Sequence, residues 1–177
     1  MAIILKEQNI TSLPHSEGNT KDGYKNMQII VFKLGTEEYG LPIDQIKEVV
    51  ITPNITKVPL SAPHIKGVAN IRGNILAIVD LEQKFDLEEK EQQSSSDYTQ
   101  NYTLVIESDE LKVGVLVKDV PNTLAIAQND IDTSPGIISD SNSDKNYING
   151  IVKLNNKLII LIDIFKIFSK DEVTVIT

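Results

Sequence analysis

His64–Phe85 reads HIKGVANIRGNILAIVDLEQKF, and this stretch decides the fold. Two apolar runs, Ile65 to Ile71 and Ile75 to Val79, flank Arg72-Gly73-Asn74. Glycine and asparagine tolerate the positive φ of a tight reversal, so the spacing predicts a β-hairpin. Arg72 is the only arginine in the chain, and every other basic side chain is lysine. A chain that uses lysine wherever a generic positive charge suffices marks Arg72 as a position wanting a flat, five-donor fork. The alternative is a solvated turn residue.

The stretch recurs 83 residues on, where Ile148–Phe168 reads INGIVKLNNKLIILIDIFKIF. Setting Ile65 on Ile148 places Gly67 on Gly150, Asp80 on Asp163 and Phe85 on Phe168, while the turn becomes Asn155-Asn156. A weaker echo at an offset of 74 sets Gly40 on Gly114. The chain therefore reads as two related β-rich halves, with the arginine kept in the first only.

Composition narrows the function. The 177 residues carry a net charge of -8 with no basic run, which argues against nucleic-acid binding. No cysteine is present, so disulfides and thiolate metal sites are excluded. Apolar runs are too short for a signal-peptide core or a membrane span, and a soluble, cytoplasmic protein is expected with no direct membrane insertion. Residues 1–26 read as a tail, 86–101 and 130–146 as polar loops, and Val173–Ile176 as an apolar end. Between them lie short strands and brief helical turns: Met27 to Leu34, Glu38 to Leu41, a turn after Pro42, Ile46 to Ile51, Ile55 to Val58, then the hairpin. Tyr102 to Glu107, Leu111 to Val117 and Val120 to Ile126 precede the second hairpin. Asp80, with Gln83 in capping-box spacing, predicts a helix N-terminus. The expected class is all-β, with paired small barrels. Ile75 to Val79 and Leu158 to Leu161 are apolar on both faces, one for a barrel interior and one for the companion barrel or a partner protein.

No catalytic constellation emerges. His15 and His64 are the only histidines, no phosphate-binding glycine loop appears, and no cofactor or metal is indicated. Asp80 and Asp163, one per half, suggest an aspartic-protease pair, but they stand in Val-Asp-Leu and Ile-Asp-Ile without the small hydroxyl residue and glycine of those enzymes. Helix capping is the preferred reading. Gly67 and Gly150 read as a bulge or close backbone approach, with a surface groove at Gly67 as the alternative. A β-barrel binder of a small apolar ligand would also account for surplus apolar surface.

The run Glu38-Tyr-Gly, Ile46-Lys-Glu-Val49, Ile65-Lys-Gly-Val, Ile71-Arg-Gly and Val79-Asp-Leu resembles the CheW-like coupling proteins of bacterial chemotaxis. Tyr147-Ile-Asn-Gly and Leu158-Ile-Ile-Leu-Ile-Asp look like that family's closing hairpin, and the likeness runs from about Met27 to Phe168. The resemblance implies two packed SH3-like five-stranded β-barrels with short helices and no enzymatic activity. It implies a scaffold joining the cytoplasmic tips of methyl-accepting chemoreceptors to the histidine kinase CheA, whose regulatory domain shares the fold. A related non-flagellar kinase pathway would use the same adaptor. Carried over by position, the receptor-facing groove would include Ile46, Glu48, Val49, Gly67 and Arg72, and the kinase-facing surface would lie on the first barrel around Leu41 and Ile43. The domain expectation is a CheW-like body over 27–170, with a first barrel about 27–88 and a second about 100–168, before a short end at 171–177.

Overall fold

Strands form where the apolar runs lie, but they pair across the two halves as well as within them. The computed structural model describes residues 26–87, 101–134 and 147–168. The first half contains β1 (Asn26–Leu34), β2 (Glu37–Pro42), β3 (Glu48–Ile51), β4 (Ile65–Ile71), β5 (Asn74–Val79) and α1 (Leu81–Lys84). The second contains β6 (Tyr102–Glu107), β7 (Lys112–Val117), β8 (Asn122–Ala127), β9 (Ile131–Asp132), β10 (Ile148–Leu154), β11 (Lys157–Ile162) and α2 (Ile164–Ile167). One sheet runs β3-β6-β7-β5-β4, the other β8-β1-β2-β11-β10-β9. Each curls on itself. Thr56, just past β3, bridges Val68 of β4 with two 2.8 Å backbone hydrogen bonds. On the other side β8 and β9, at opposite ends of their sheet, are joined by a single 3-10 turn, Gln128–Asp130.

This topology corrects the expected barrel limits of about 27–88 and 100–168. Hairpin β1–β2 belongs to the barrel of β10 and β11, with β2 parallel to β11 through Glu38↔Ile159 and Gly40↔Leu161. Hairpin β6–β7 belongs to the barrel of β4 and β5, with β7 parallel to β5 through Val113↔Ala77 and Val115↔Val79. Each half thus lends its first hairpin to the other. Alternating hydrophobicity reports which face of a strand is buried, but not which open edge it meets, so the exchange is invisible in the pattern.

The consequence for the core is a division by strand face. Ile29 and Val31 of β1 fill the second barrel with Ile126, Val152, Ile159 and Leu161. Val50, Ala69, Ile71, Leu76, Ile78 and Val105 fill the first. The opposite faces of β1, β2, β6 and β7 meet in the largest apolar cluster, which includes Ile30, Phe32, Leu41, Leu104, Ile106, Val113 and Val115. The second apolar face of the strands therefore goes mainly to the companion barrel. Phe32, Tyr39, Phe85 and Tyr147 stack in a row at 6.5, 6.0 and 4.8 Å between ring centroids. Burial raises the Tyr39 and Tyr147 phenol pKa values, and Tyr147 and Glu37 raise that of Tyr39 further.

Both duplicated glycines serve closure. At Gly67 (φ 143°) a Cβ would lie 2.2 Å from the Thr56 carbonyl oxygen, and the β4–β5 register shifts there. At Gly150 (φ 157°) a Cβ would lie 2.7 Å from Ile131 Cγ2, again at a register shift.

Both aspartates cap. Asp80 accepts from the N–H groups of Glu82 and Gln83, and Asp163 from that of Phe165 at 3.0 Å. The Asp80 N–H donates to the His64 carbonyl at 2.8 Å, so Gln83 returns no capping-box bond. The expected strand Ile55 to Val58 reduces to the Thr56 bridge, and β9 forms where a loop was expected. The expected tail up to residue 25, the loop cores at 88–100 and 135–146, and the apolar end lie outside the described residues, while Asn26 opens β1.

Candidate docking site

The Arg72-Gly73 turn closes β4 on β5 with Ile71 opposite Asn74. Both turn residues are left-handed, Arg72 at φ 53° and Gly73 at φ 85°, and the Gly73 N–H donates to Asn70 Oδ1 at 2.9 Å. Such a two-residue hairpin loop favours asparagine and glycine. The second hairpin complies, with Asn155 at φ 47° and Asn156 at φ 61°. An arginine in this conformation costs on the order of 1 kcal/mol, which the side chain must offset elsewhere.

It does so in part through Glu48 at the start of β3. Arg72 Nε lies 2.9 Å from Glu48 Oε2, with the Glu48 side chain 12% exposed and that of Arg72 45% exposed. The carboxylate is held inside the surface while the guanidinium remains reachable. Barrel closure brings the pair together, because β3 and β4 are the two edges of their sheet.

The other expected residues lie in four different settings. Ile46 and Val49 are partly buried and pack on the cluster between the barrels, beside Glu48 in sequence. Gly67 is buried and its open side is filled by Thr56, which corrects the groove-lining reading; it shapes the hairpin. Leu41 is fully buried in the inter-barrel cluster on β2, a strand of the second barrel, which corrects its placement as a surface residue of the first. Its strand is apolar on alternate positions, and the face it lies on meets β6 and β7 rather than solvent. Ile43, in the 3-10 turn Ile43–Gln45, is 37% exposed.

Sequence reasoning missed Gln45. Its Nε2 donates to Asp163 Oδ1 at 3.3 Å, and its Oε1 accepts from the Ile164 N–H at 3.1 Å. The only signal was a neutral polar residue in Ile43-Asp-Gln-Ile46, which says nothing about a partner 118 residues away. Lys47, two residues on, pairs with Glu107, and this contact holds the Glu107 carboxyl below the ordinary carboxylate range. On the far barrel, Lys153 and Ser134 depress Asp132 in the same way. Among the described residues no group of histidine, aspartate or glutamate side chains could hold a metal ion, and both repeated aspartates are occupied as caps.

A family model described as "CheW-like domain" matches residues 28–172. The chain is 32% identical over 151 residues to the chemotaxis protein CheW of Helicobacter pylori, covering 85% of this chain and 87% of that protein. It is 31% identical over 154 residues to the CheW of Thermotoga maritima, covering 87% and 94%. The fold matches the crystal structure of the scaffolding protein TtCheW from Thermoanaerobacter tengcongensis with a TM-score of 0.65 at 29% identity, covering 79% of this chain and 90% of that one. The two barrels are accordingly SH3-like, as the resemblance implied. With both barrels, the arginine turn and its carboxylate inside the matched span, the chain belongs to the CheW-like family.

Proposed function

We propose that this chain is a chemotaxis scaffold, without catalytic activity of its own, that joins the cytoplasmic tips of chemoreceptors to the histidine kinase CheA in the cytoplasm. The observation that carries the reading is the Arg72–Glu48 pair. A left-handed arginine stands where asparagine would be cheaper, and a mostly buried carboxylate orients it. That geometry presents a fixed fork to an acidic group or to the carbonyls at a helix end. Ile46 and Val49, which flank Glu48 in sequence and lie partly exposed on the seam between the barrels, supply apolar area for an amphipathic receptor helix.

Ile43 remains the residue assigned to the kinase side, with Leu41 beneath the surface as support. The family match and the scaffold relative support the adaptor role, and no helix of the described residues is long and apolar enough to cross a membrane. Purified chain added to the kinase and membranes bearing receptors should restore receptor-dependent autophosphorylation and co-sediment with both. Co-sedimentation with neither, together with unchanged phosphorylation, would overturn the reading.

A further inference from the structure

We propose that Gln45 is a positioning residue for the docking face, setting the segment that carries Ile43 and Ile46 by clamping it to the helix of the opposite half. The proposal rests on the receptor-facing reading of Ile46, Glu48, Val49 and Arg72.

Residues 43–47 are the crossover by which the chain leaves β2 in the second barrel and enters β3 in the first. A crossover of this kind has few ladder bonds to hold it. Its backbone is fixed by the 3-10 bond from the Ile46 N–H to the Ile43 carbonyl (3.2 Å) and by the Lys47 N–H to the Val105 carbonyl (2.8 Å). Lys47 pairs with Glu107 and Ile46 packs on the inter-barrel cluster, while the Gln45 side chain ties the segment to the other half, with both ends of its amide used. One end donates to the N-cap carboxylate of α2, the other accepts from the Ile164 N–H, the first of that helix. The first N–H groups of a helix have no partner within it. At Asp163 the cap reaches Phe165, whereas at Asp80 the corresponding cap reaches both Glu82 and Gln83. Gln45 therefore satisfies from outside the first N–H of α2, that of Ile164, which the Asp163 cap does not reach.

The duplicated half makes a comparable connection with different chemistry. Lys118, on the crossover from β7 to β8, pairs with Glu82 of α1, which also accepts from the Gly35 N–H at 2.9 Å. Pinning the crossover to the other half's helix is thus a feature of both halves. In the first half the pin is a neutral amide with two directional bonds, placed one residue from Ile46 and three from Glu48. An ion pair between long side chains tolerates sliding, while a two-ended amide fixes orientation. Loss of the pin would leave Arg72 and Glu48 in place on their strands but loosen the turn that carries Ile43 and Ile46 against the other half.

The test uses the full chain, a soluble chemoreceptor cytoplasmic-tip fragment as probe, and three variants measured well below their unfolding midpoints. Gln45→Leu keeps the volume and removes both bonds. It should weaken binding of the tip about fivefold to tenfold and speed amide exchange at Ile164. Asp80→Ala removes the equivalent cap in the other half and should speed exchange in α1 while leaving the affinity within about twofold. Arg72→Ala reports on the underlying site. Tip binding unchanged by Gln45→Leu but weakened by Arg72→Ala would overturn the role of Gln45 and leave the site standing. Binding unchanged by both would remove the site and the proposal together. An equal loss in Asp80→Ala would make the effect one of general stability and would also overturn it. Should Gln45→Leu fail to fold, Gln45→Glu keeps the acceptor for Ile164, repels Asp163, and is read against the same outcomes.

Discussion

The guanidinium of Arg72, at the tip of the β4–β5 hairpin, stands 2.9 Å from the carboxylate of Glu48 at the entry to β3. This pair joins the two edges of the first barrel's sheet at the surface. Its asymmetry, with the acid mostly covered and the base nearly half exposed, separates what each residue does for stability from what it offers a partner.

Arg72→Ala strands the Glu48 carboxylate and is expected to cost about 1 kcal/mol, the range for a partly exposed pair. Adding Glu48→Gln should recover most of that loss in urea unfolding, but receptor-dependent kinase activation should stay low in both variants. A loss of several kcal/mol from Arg72→Ala alone would make the residue structural.

Arg72→Asn imports the residue of the second hairpin, Asn155. Relief of the left-handed strain offsets the lost ion pair, so the thermal midpoint should lie within a few degrees of wild type. Kinase activation should fall as far as in Arg72→Ala. Retained activation would assign the arginine to the turn alone.

Gly67→Ala should be severe, about 3 kcal/mol or more, because its Cβ would meet the rigid Thr56 backbone. Gly150→Ala should cost less, since its Cβ would meet the Ile131 Cγ2 methyl at 2.7 Å and the Asp132 carbonyl oxygen only at 3.0 Å. Thermal melts of the two variants would rank them. A mild Gly67→Ala that nonetheless abolished receptor binding would restore that glycine to the docking face.

Stability should decline in alkali. Tyr39 and Tyr147 hold their protons more tightly folded than unfolded. Above the ordinary phenol value of 10.0 the unfolded chain has therefore lost more protons than the folded one, and unfolding becomes easier as pH rises. The contribution is intact below about pH 10 and is lost as pH climbs from there towards the raised folded values. Denaturant midpoints between pH 8 and 11 should drop less steeply in Tyr39→Phe.

Fragments 26–87 and 101–168, expressed separately, should each remain unfolded, because neither contains the strands of a closed barrel. Mixed together they should regain β-sheet circular dichroism. A folded monomer from either fragment alone would contradict the exchanged pairing.

Much of this architecture was legible in the chain, and the limits were physical. The β4–β5 and β10–β11 hairpins, the left-handed Asn155-Asn156 turn and the capping roles of Asp80 and Asp163 all follow from local rules about φ, period and side-chain reach. Arg72 and Glu48 were named separately, but their meeting depends on barrel closure, a non-local event. Leu41 was misplaced because alternation cannot tell a face that meets solvent from one that meets a second barrel. Gln45 was missed because its partners, Asp163 and Ile164, lie in the other half.

The exchange of first hairpins also bears on symmetry. A half that needs another half to finish its barrel would, standing alone, have to pair with a second copy of itself, and any turn arginine would then appear twice. Within a single chain no such identity is enforced. One hairpin carries a charge at position 72 while the other carries asparagine at 155, so a near-symmetric pair of barrels has a distinct front and back.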